Sequence, residues 1–277
     1  MKHMTLAITG STGHVGGMVA THLRDRDPLL LVRDIDRAPD GYRAVETDYD
    51  DYERSGAALT GIDVLFMVSA SESPRRREQH RTFIRAAADA GLQHIVYTSF
   101  FGADPDAVFT LGRDHADAEA AIRESGMSFT LLRDNFYSDL LPFFADPHGV
   151  IRGPAGDGRV SAVARTDVAD AAAAVLRQPA KHVDAVYELT GPEAITLDEV
   201  ASRGGAVIGR ALRYERETVA EAYESRRVFS DEQWQLDAWV STYTAIADGE
   251  VERVTGDVQL VTGHPARTIE EALRSGV

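Results

Sequence analysis

Gly10-Ser11-Thr12-Gly13-His14-Val15-Gly16 is the stretch of the chain that decides its fold. It follows an apolar run at residues 6–9, which is typical of a buried strand, and it leads into apolar residues spaced like one face of a helix. A strand, a glycine-rich turn and a helix in this order form a cradle for the pyrophosphate of a dinucleotide. The spacing G-x-x-G-x-x-G departs from the more common G-x-G-x-x-G. We therefore predict a dinucleotide site, with a glycine-rich turn that binds no ligand as the alternative.

The three glycines have separate predicted purposes. Gly10 permits the tight turn, Gly13 lets the backbone approach the phosphates, and Gly16 lets the helix pack closely on the strand. The N–H groups at the N-terminus of the helix then face the anion. The cofactor contacts predicted in this loop are Gly10, Ser11, Thr12, Gly13, His14, Val15 and Gly16.

The composition limits the class of protein. The chain has 277 residues, 44% of them hydrophobic and 26% charged, which is ordinary for a soluble globular protein. Its formal net charge of −15 argues against nucleic acid or an anionic membrane as the partner. Because the chain contains no cysteine and no histidine pair at ligand spacing, neither a disulfide nor a metal site is expected. Without a long apolar run or a secretory segment, we expect a cytoplasmic protein.

Apolar strands alternate with helical segments through the first half of the chain. Strands are predicted at residues 6–9, 29–32, 42–47, 63–68, 94–99 and 128–132, and helices at 52–59, 74–90 and 113–125. This alternation implies an α/β fold with a Rossmann-like, doubly wound parallel sheet. Beyond about residue 133 the regularity loosens, although helices are expected at 165–176 and over most of 219–247. We predict an NAD(P)-binding domain at residues 1–135 and a smaller, interleaved α/β substrate lobe at 136–277.

The end of the second strand determines which dinucleotide is expected. Arg33 and Asp34 follow that strand, where the fold reaches the adenosine ribose. An arginine there holds the 2′-phosphate of NADP, whereas an acidic residue accepts a hydrogen bond from the 2′-hydroxyl of NAD. We predict NADP, with Arg33 binding the phosphate. The alternative is NAD, with Asp34 on the ribose and Arg33 as a solvated surface charge.

Three other strands end in segments that should lie along the cofactor, because ligands of such sheets bind outside the carboxyl ends of the strands. The loop at residues 48–51, which follows the third strand, either contacts the adenine or is a solvated acidic turn. The remaining cofactor contacts predicted after the fourth and fifth strands are Val68, Ser69, Ala70, Thr98 and Ser99.

The order of several short motifs resembles a known family, the NmrA-like group of atypical short-chain dehydrogenases/reductases. The chain is most similar to its branch of type 2 quinone oxidoreductases and triphenylmethane reductases. The resemblance covers roughly residues 5–200. Its motifs are TGSTGHVG at 9–16, LVRD at 31–34, GIDV at 61–64, HIVYTS at 94–99, SGMSFTLLR at 125–133, NFY at 135–137 and TDVA at 166–169.

This resemblance implies a Rossmann-like sheet, a small C-terminal substrate lobe, and hydride transfer from a nicotinamide to a quinone-like or conjugated acceptor. Short-chain dehydrogenases typically carry a Tyr-x-x-x-Lys pair in which tyrosine is the proton donor. In this chain His115 stands in a place like that of the lysine, and Leu111 stands four residues earlier. Alcohol–ketone chemistry by the usual route is therefore not expected.

Two residues are candidate proton donors. His115 either donates a proton or binds the ribose or substrate, or it is a structural histidine. Tyr137 either donates a proton or stacks on a flat ring, or it packs in an aromatic cluster. The substrate contacts predicted from the resemblance and from the strand ends are Phe100, Phe101, Asn135, Phe136 and Tyr137, and core packing is the alternative for the aromatic side chains.

The function predicted from the sequence is NAD(P)H-dependent reduction of a quinone-like or conjugated aromatic acceptor. Such an acceptor delocalises the charge left by the hydride, so it needs little acid catalysis. The alternatives are a non-catalytic, NAD(P)-sensing regulator of the NmrA type and a redox enzyme that tailors an aromatic natural product. A small-molecule partner is expected, with the protein a monomer or a homodimer.

Overall fold

Strand and helix alternate through the computed structural model, which describes residues 4–275. The strands are β1 Leu6–Thr9, β2 Leu29–Val32, β3 Arg43–Glu46, β4 Val64–Met67, β5 His94–Phe100, β6 Ser128–Asp134, β7 Val150–Gly153, β8 Arg159–Val160, β9 Ala185–Leu189, β10 Ile195–Thr196 and β11 Arg213–Arg216. The helices are α1 His14–His22, α2 Tyr52–Leu59, α3 Arg76–Asp89, α4 Thr110–Glu124, α5 Arg165–Arg177, α6 Leu197–Ile208, α7 Val219–Arg226, α8 Gln233–Ala247, α9 Asp257–Thr262 and α10 Ile269–Ser275.

A seven-stranded sheet has the order β3-β2-β1-β4-β5-β6-β9. Parallel pairing joins β3 to β2, β2 to β1, β1 to β4 and β4 to β5, and the register places Ala7 between Leu29 and Leu65. From β1 the sheet extends through β2 to β3 on one side. The chain then returns and forms β4, β5, β6 and β9 on the other side of β1. The strand order therefore reverses between β1 and β4, which is where sheets of this kind bind ligands. The predicted Rossmann-like α/β class is confirmed.

The contacts divide the chain into two compact units. The first unit contains the residues up to Ser99, Asp114–Arg133 and Val168–Tyr187, and the second contains Phe100–Arg113, Asp134–Asp167 and the chain from Glu188 onward. The sheet belongs to the first unit except at the carboxyl ends of β5, β6 and β9. The chain passes between the units several times, so they do not divide at a single point near residue 135. How they relate to the predicted domains 1–135 and 136–277 stays a prediction.

Each unit has its own apolar core. In the first, the central strands β1 and β4 are buried along their whole length, which accounts for their nearly continuous apolar sequence. Helix α3 packs against them through Phe83, Ile84 and Ala87. In the second, apolar residues of β7, β8 and α6 belong to one buried cluster with Phe100, Phe101 and Phe109. None of the helices within residues 4–275 has the length and apolar character needed to cross a membrane.

Helices α3 and α4 begin at other residues than predicted, and α4 begins at Thr110, three residues before the predicted start at residue 113. Helix α3 begins at Arg76, two residues after the predicted start, because Ser73 forms a turn that accepts hydrogen bonds from the amides of Arg75 and Arg76. Most of residues 219–247 is helical, as predicted, and a turn at residues 227–232 separates α7 from α8.

Candidate functional site

The glycine loop joins β1 to α1, with the tight turn predicted at Gly10 and the close packing predicted at Gly16. Gly10 has a φ of +65°, and a Cβ at this position would lie 2.8 Å from Cβ of Val68. A Cβ on Gly16 would lie 2.3 Å from the carbonyl oxygen of Gly10. Both glycines therefore allow backbone approaches that a side chain would prevent. In particular, α1 packs directly on the end of β1.

The N-terminus of α1 is open toward solvent. Gly13 is its N-cap, no side chain caps the helix, and no acidic residue lies in its first turn. Thr12, Gly13 and His14 are exposed. Unpaired N–H groups and the positive end of the helix dipole favour an anion at this position.

Ser11 provides a further polar group in the same loop. Its hydroxyl oxygen is buried and has no hydrogen-bond partner within residues 4–275. A buried hydroxyl usually has a partner, so this group fits an additional ligand. The cradle and the hydroxyl together are the arrangement that a pyrophosphate requires.

A cavity of about 360 Å³ extends from the glycine loop along the carboxyl ends of β1, β2 and β4. It lies within the first unit, at the point where the strand order reverses. Its lining residues are Thr9, Gly10, Thr12, Leu31, Val32, Arg33, Thr47, Asp48, Tyr49, Val68, Ser69, Ala70, Ser71, Glu72, Ser73 and Gln79.

Arg33 and Asp34 differ in their contacts with other residues of the protein. Arg33 lines the cavity and is exposed, and no acidic side chain within residues 4–275 forms an ion pair with it. The carboxylate of Asp34 instead accepts a hydrogen bond from the amide of Asp36 and caps the short 3-10 helix Ile35–Arg37. The guanidinium of Arg33 is therefore available to a ligand at the end of β2, whereas one oxygen of Asp34 is already engaged.

Tyr49 closes the inner wall of the cavity. Its hydroxyl donates to the carbonyl oxygen of Val68 and accepts from Thr9 Oγ1, each at 2.6 Å, and its ring stacks on Phe83 with the ring centroids 4.2 Å apart. Burial raises the pKa of Tyr49, so the phenol stays protonated. The chain after β3 therefore lines the cavity, and contact of residues 48–51 with the adenine stays a prediction.

The side chains of Thr98 and Ser99 are engaged inside the first unit. Thr98 Oγ1 accepts a hydrogen bond from the amide of Ser69 at 2.8 Å, which ties β5 to the cavity wall. Ser99 Oγ donates to Glu119 at 2.5 Å, and that buried carboxylate also receives two hydrogen bonds from Arg133. Direct contacts of Thr98 and Ser99 with a cofactor stay predictions.

His115 is buried on α4 and has partners at both ring nitrogens. Arg76 Nη2 lies 2.9 Å from its Nε2, and Tyr97 Oη lies 3.0 Å from its Nδ1. A guanidinium can only donate, so Nε2 is the acceptor and the proton is on Nδ1. Burial first, and then the charge of Arg76, lower the pKa of His115 well below its usual value. This environment favours the structural alternative, and a catalytic role for His115 stays a prediction.

Tyr137 lies in the second unit, directly after β6. Its hydroxyl donates to the buried carboxylate of Asp134 at 2.5 Å. Burial, followed by the charge of Asp134, raises the pKa of Tyr137 well above its usual value. A phenol with a raised pKa is a weaker acid, so the role of Tyr137 as a proton donor stays a prediction.

The other predicted substrate residues also lie in the second unit. The rings of Phe100, Phe109 and Phe136 pack at centroid distances of 4.6–5.1 Å, and Phe101 is buried nearby. The amide nitrogen of Asn135 donates to Ser161 Oγ and to the carbonyl oxygen of Val251. These contacts favour the packing alternative, and substrate binding by the predicted residues stays a prediction.

Comparison with known proteins agrees with the geometry of the cavity. A protein-family model described as NAD(P)H-binding matches residues 10–179. Quinone oxidoreductase 2 of Escherichia coli (strain K12) is 31% identical over 279 residues, with 97% of each chain covered. The NAD(P)H azoreductase of Xenophilus azovorans is 31% identical over 275 residues, with 96% of each chain covered.

Solved structures give the same result. The NADPH-dependent quinone oxidoreductase of Escherichia coli, complexed with NADPH, matches with a TM-score of 0.87 at 31% identity, covering 98% of this chain and 99% of that one. The triphenylmethane reductase of Citrobacter sp., complexed with NADP(H), matches with a TM-score of 0.86 at 27% identity. That match covers 99% of this chain and 100% of the other.

Proposed function

Since this chain belongs to the NAD(P)H-binding family, within the NmrA-like atypical short-chain dehydrogenases/reductases, we propose that it is an NADPH-dependent reductase of quinone-like or conjugated aromatic acceptors. The observation that carries the proposal is the cavity of the first unit, which ends at an open helix N-terminus on one side and at an unpaired arginine on another. The similarity over nearly the whole chain to a quinone oxidoreductase and an azoreductase supports the class of acceptor.

The residues around the cavity fit a dinucleotide. Gly10 and Gly16 let the loop pack closely on Val68 and on the start of α1, and the α1 amides and Ser11 Oγ would hold the pyrophosphate. Val68, Ser69 and Ala70 would border the remainder of the cofactor, since they line the cavity beyond the loop. When bound, the reduced nicotinamide supplies the hydride.

Arg33 is the residue that we propose selects NADPH over NADH. Its guanidinium is exposed at the cavity and unpaired, whereas the carboxylate of Asp34 already caps a turn. A planar guanidinium forms paired, charge-assisted hydrogen bonds with a phosphate dianion. The 2′-phosphate of NADPH is the group that meets this requirement.

The candidate proton donors also bear on the class of acceptor. His115 accepts a hydrogen bond at Nε2 and holds its proton on the opposite nitrogen, and Tyr137 donates its proton to a carboxylate. Neither arrangement prepares a side chain to protonate a substrate near neutral pH. An acceptor that spreads the incoming negative charge over a conjugated system, and then takes a proton from water, fits this chain better than a simple ketone does.

A panel of quinones and azo dyes tests the proposal. Purified protein with saturating NADPH should oxidise the cofactor in the presence of at least one quinone, faster than the same mixture without protein. The Arg33→Ala variant, assayed at limiting NADPH, is the control for reaction in the cofactor site and should be slower. Tight binding of NADPH without turnover on any member of the panel would instead support the sensing alternative. A cytoplasmic location and a monomeric or homodimeric state stay predictions.

A further inference from the structure

Ala70 lines the cofactor cavity, and two buried side chains of α3 hold both sides of its backbone. The amide of Ala70 donates to His80 Nε2 at 2.8 Å, and its carbonyl oxygen accepts from Arg76 Nε at 2.9 Å. His80 is fully buried, and Arg76 is only 4% exposed. These two side chains of α3 therefore fix the position of the segment after β4 at the edge of the cavity.

Both side chains have further neighbours. The ring of His80 lies 5.8 Å from that of Tyr97, edge to face, and its Nδ1 has no hydrogen-bond partner within residues 4–275. Arg76 Nη2 donates to His115, which also contacts Tyr97, and Arg76 Nη1 lies 3.6 Å from a carboxylate oxygen of Asp114. The cluster of Arg76, His80, His115 and Tyr97 thus joins α3, α4 and β5 behind the cavity wall, all within the first unit. We call these four residues the α3–α4 cluster.

The direction of the hydrogen bonds fixes the charge of the cluster. A backbone amide can only donate, so Nε2 of His80 carries a lone pair, as Nε2 of His115 does opposite Arg76. Both histidines are therefore neutral, and Arg76 is the cation of the cluster, with Asp114 beside it. Burial lowers the pKa of His80 to about 3, in agreement with this assignment.

We propose that the α3–α4 cluster positions the cofactor, with His80 as its central positioning residue: by accepting the amide hydrogen of Ala70, it keeps residues 68–70 in the conformation that receives the dinucleotide. This inference rests on the proposed cofactor site, and it assigns the buried histidines to cofactor affinity, with no part in proton transfer. Without His80 the amide of the half-buried Ala70 loses its acceptor, and its segment then favours other conformations in which the amide finds a new one. The cofactor then has to restore the original conformation on binding.

Three variants test the assignment. His80→Leu removes the acceptor, while His80→Gln presents an amide oxygen at about the reach of Nε2. His94→Leu is the matched control, because His94 is also buried and also loses one hydrogen bond, to Thr130 Oγ1, but it begins β5 at the opposite end of the sheet from the cavity. Thermal unfolding shows that each variant is folded before its cofactor affinity is measured.

We expect His80→Leu to raise the Kd and the KM for NADPH about tenfold, with kcat at saturating NADPH changed less than about twofold. His80→Gln should restore most of the affinity, and His94→Leu should leave the Kd unchanged even where it lowers the melting temperature. Hydrogen exchange at the Ala70 amide should be faster in His80→Leu than in the wild type and the control.

Two results would overturn the assignment. One is an unchanged Kd for NADPH in a folded His80→Leu variant, and the other is an equal loss of affinity in His80→Leu and His94→Leu. A wild-type protein that binds no NADPH would refute the proposed function itself, and this is measured first. Faster exchange at Ala70 with an unchanged Kd would show that His80 holds the segment but that the cofactor does not depend on it, which also contradicts the inference.

Discussion

Replacing Arg33 by alanine should weaken NADPH binding and leave NADH binding nearly unchanged. Arg33 is exposed, lines the cavity and makes no ion pair within residues 4–275, so the free protein loses little when the side chain is removed. The effect should therefore appear almost entirely in the complex. The variant separates the phosphate-binding role of this arginine from the alternative of a solvated surface charge.

The size of the effect follows from the exposure of the side chain. A hydrogen bond to a charged group contributes about 1.5–3 kcal/mol, and an exposed guanidinium lies at the lower end because water and salt screen it. Since about 1.4 kcal/mol corresponds to a tenfold change, we expect the Kd for NADPH to rise about ten- to thirtyfold. The Kd for NADH should change less than about twofold, because that cofactor has no 2′-phosphate.

The assay is a fluorescence titration with each reduced cofactor at about 0.15 M ionic strength, repeated at higher salt. Arg37→Ala is the matched control, because Arg37 is an exposed arginine of the same turn that does not line the cavity. The NADPH affinity of the wild type should fall with salt more steeply than that of Arg33→Ala. Equal weakening of NADPH and NADH, or an equal effect of Arg37→Ala, would refute the 2′-phosphate assignment.

Three more predictions follow from other parts of the first and second units. Gly16→Ala places a Cβ 2.3 Å from the carbonyl oxygen of Gly10, so this variant should lose NADPH binding and about 1–3 kcal/mol of unfolding free energy. The control is Gly56→Ala in α2, where nothing lies within 4 Å of the added Cβ, and it should gain about 0.5–1 kcal/mol. Denaturant unfolding compares the stability of the two variants. Tyr137→Phe should change kcat less than about threefold in steady-state assays, whereas loss of a general acid would cost about a hundredfold or more. The pKa of His80 is lowered from 6.5 to about 3, so between these pH values the unfolded chain binds a proton that the folded protein does not. The free energy of unfolding is therefore unaffected by this group above pH 6.5 and decreases as the pH falls toward 3. In denaturant unfolding experiments, His80 should lower the free energy of unfolding by up to about 1.4 kcal/mol for each pH unit over this range. The dependence of that free energy on pH should be weaker in His80→Gln.

Much of the first unit was predictable because its signals are local. The apolar runs of β1, β2 and β4 and the glycine loop between β1 and α1 require only neighbouring residues, and the structure confirms them. The turn at residues 227–232 was not predicted, because Val228 and Phe229 are apolar and no glycine or proline lies between residues 219 and 247. In the structure these two side chains are 80% and 77% exposed, and the identity of a residue does not reveal such exposure.

The α3–α4 cluster was missed for a different reason. The start of α3 is rich in charged and polar residues, and Arg76 reads there as one of several surface arginines. The positions of Arg76 and His80 along α3 do indicate their burial. Both residues lie on the same helix face as Phe83, Ile84 and Ala87, which pack into the core. Projecting α3 on its apolar stripe would have placed both side chains inside, but their contacts with Ala70 and His115 depend on how separate segments meet.

Single-turnover reduction of a quinone tests the proposed function most directly. The protein, loaded with one equivalent of NADPH carrying deuterium at C4, is mixed anaerobically with the most active quinone of the panel. We predict that the absorbance of the reduced nicotinamide disappears faster than in the protein-free mixture, with a kinetic isotope effect for deuterium on one face of the ring only. Cofactor that stays bound and reduced, or that is oxidised no faster than in free solution, would contradict the assignment of this chain as a reductase.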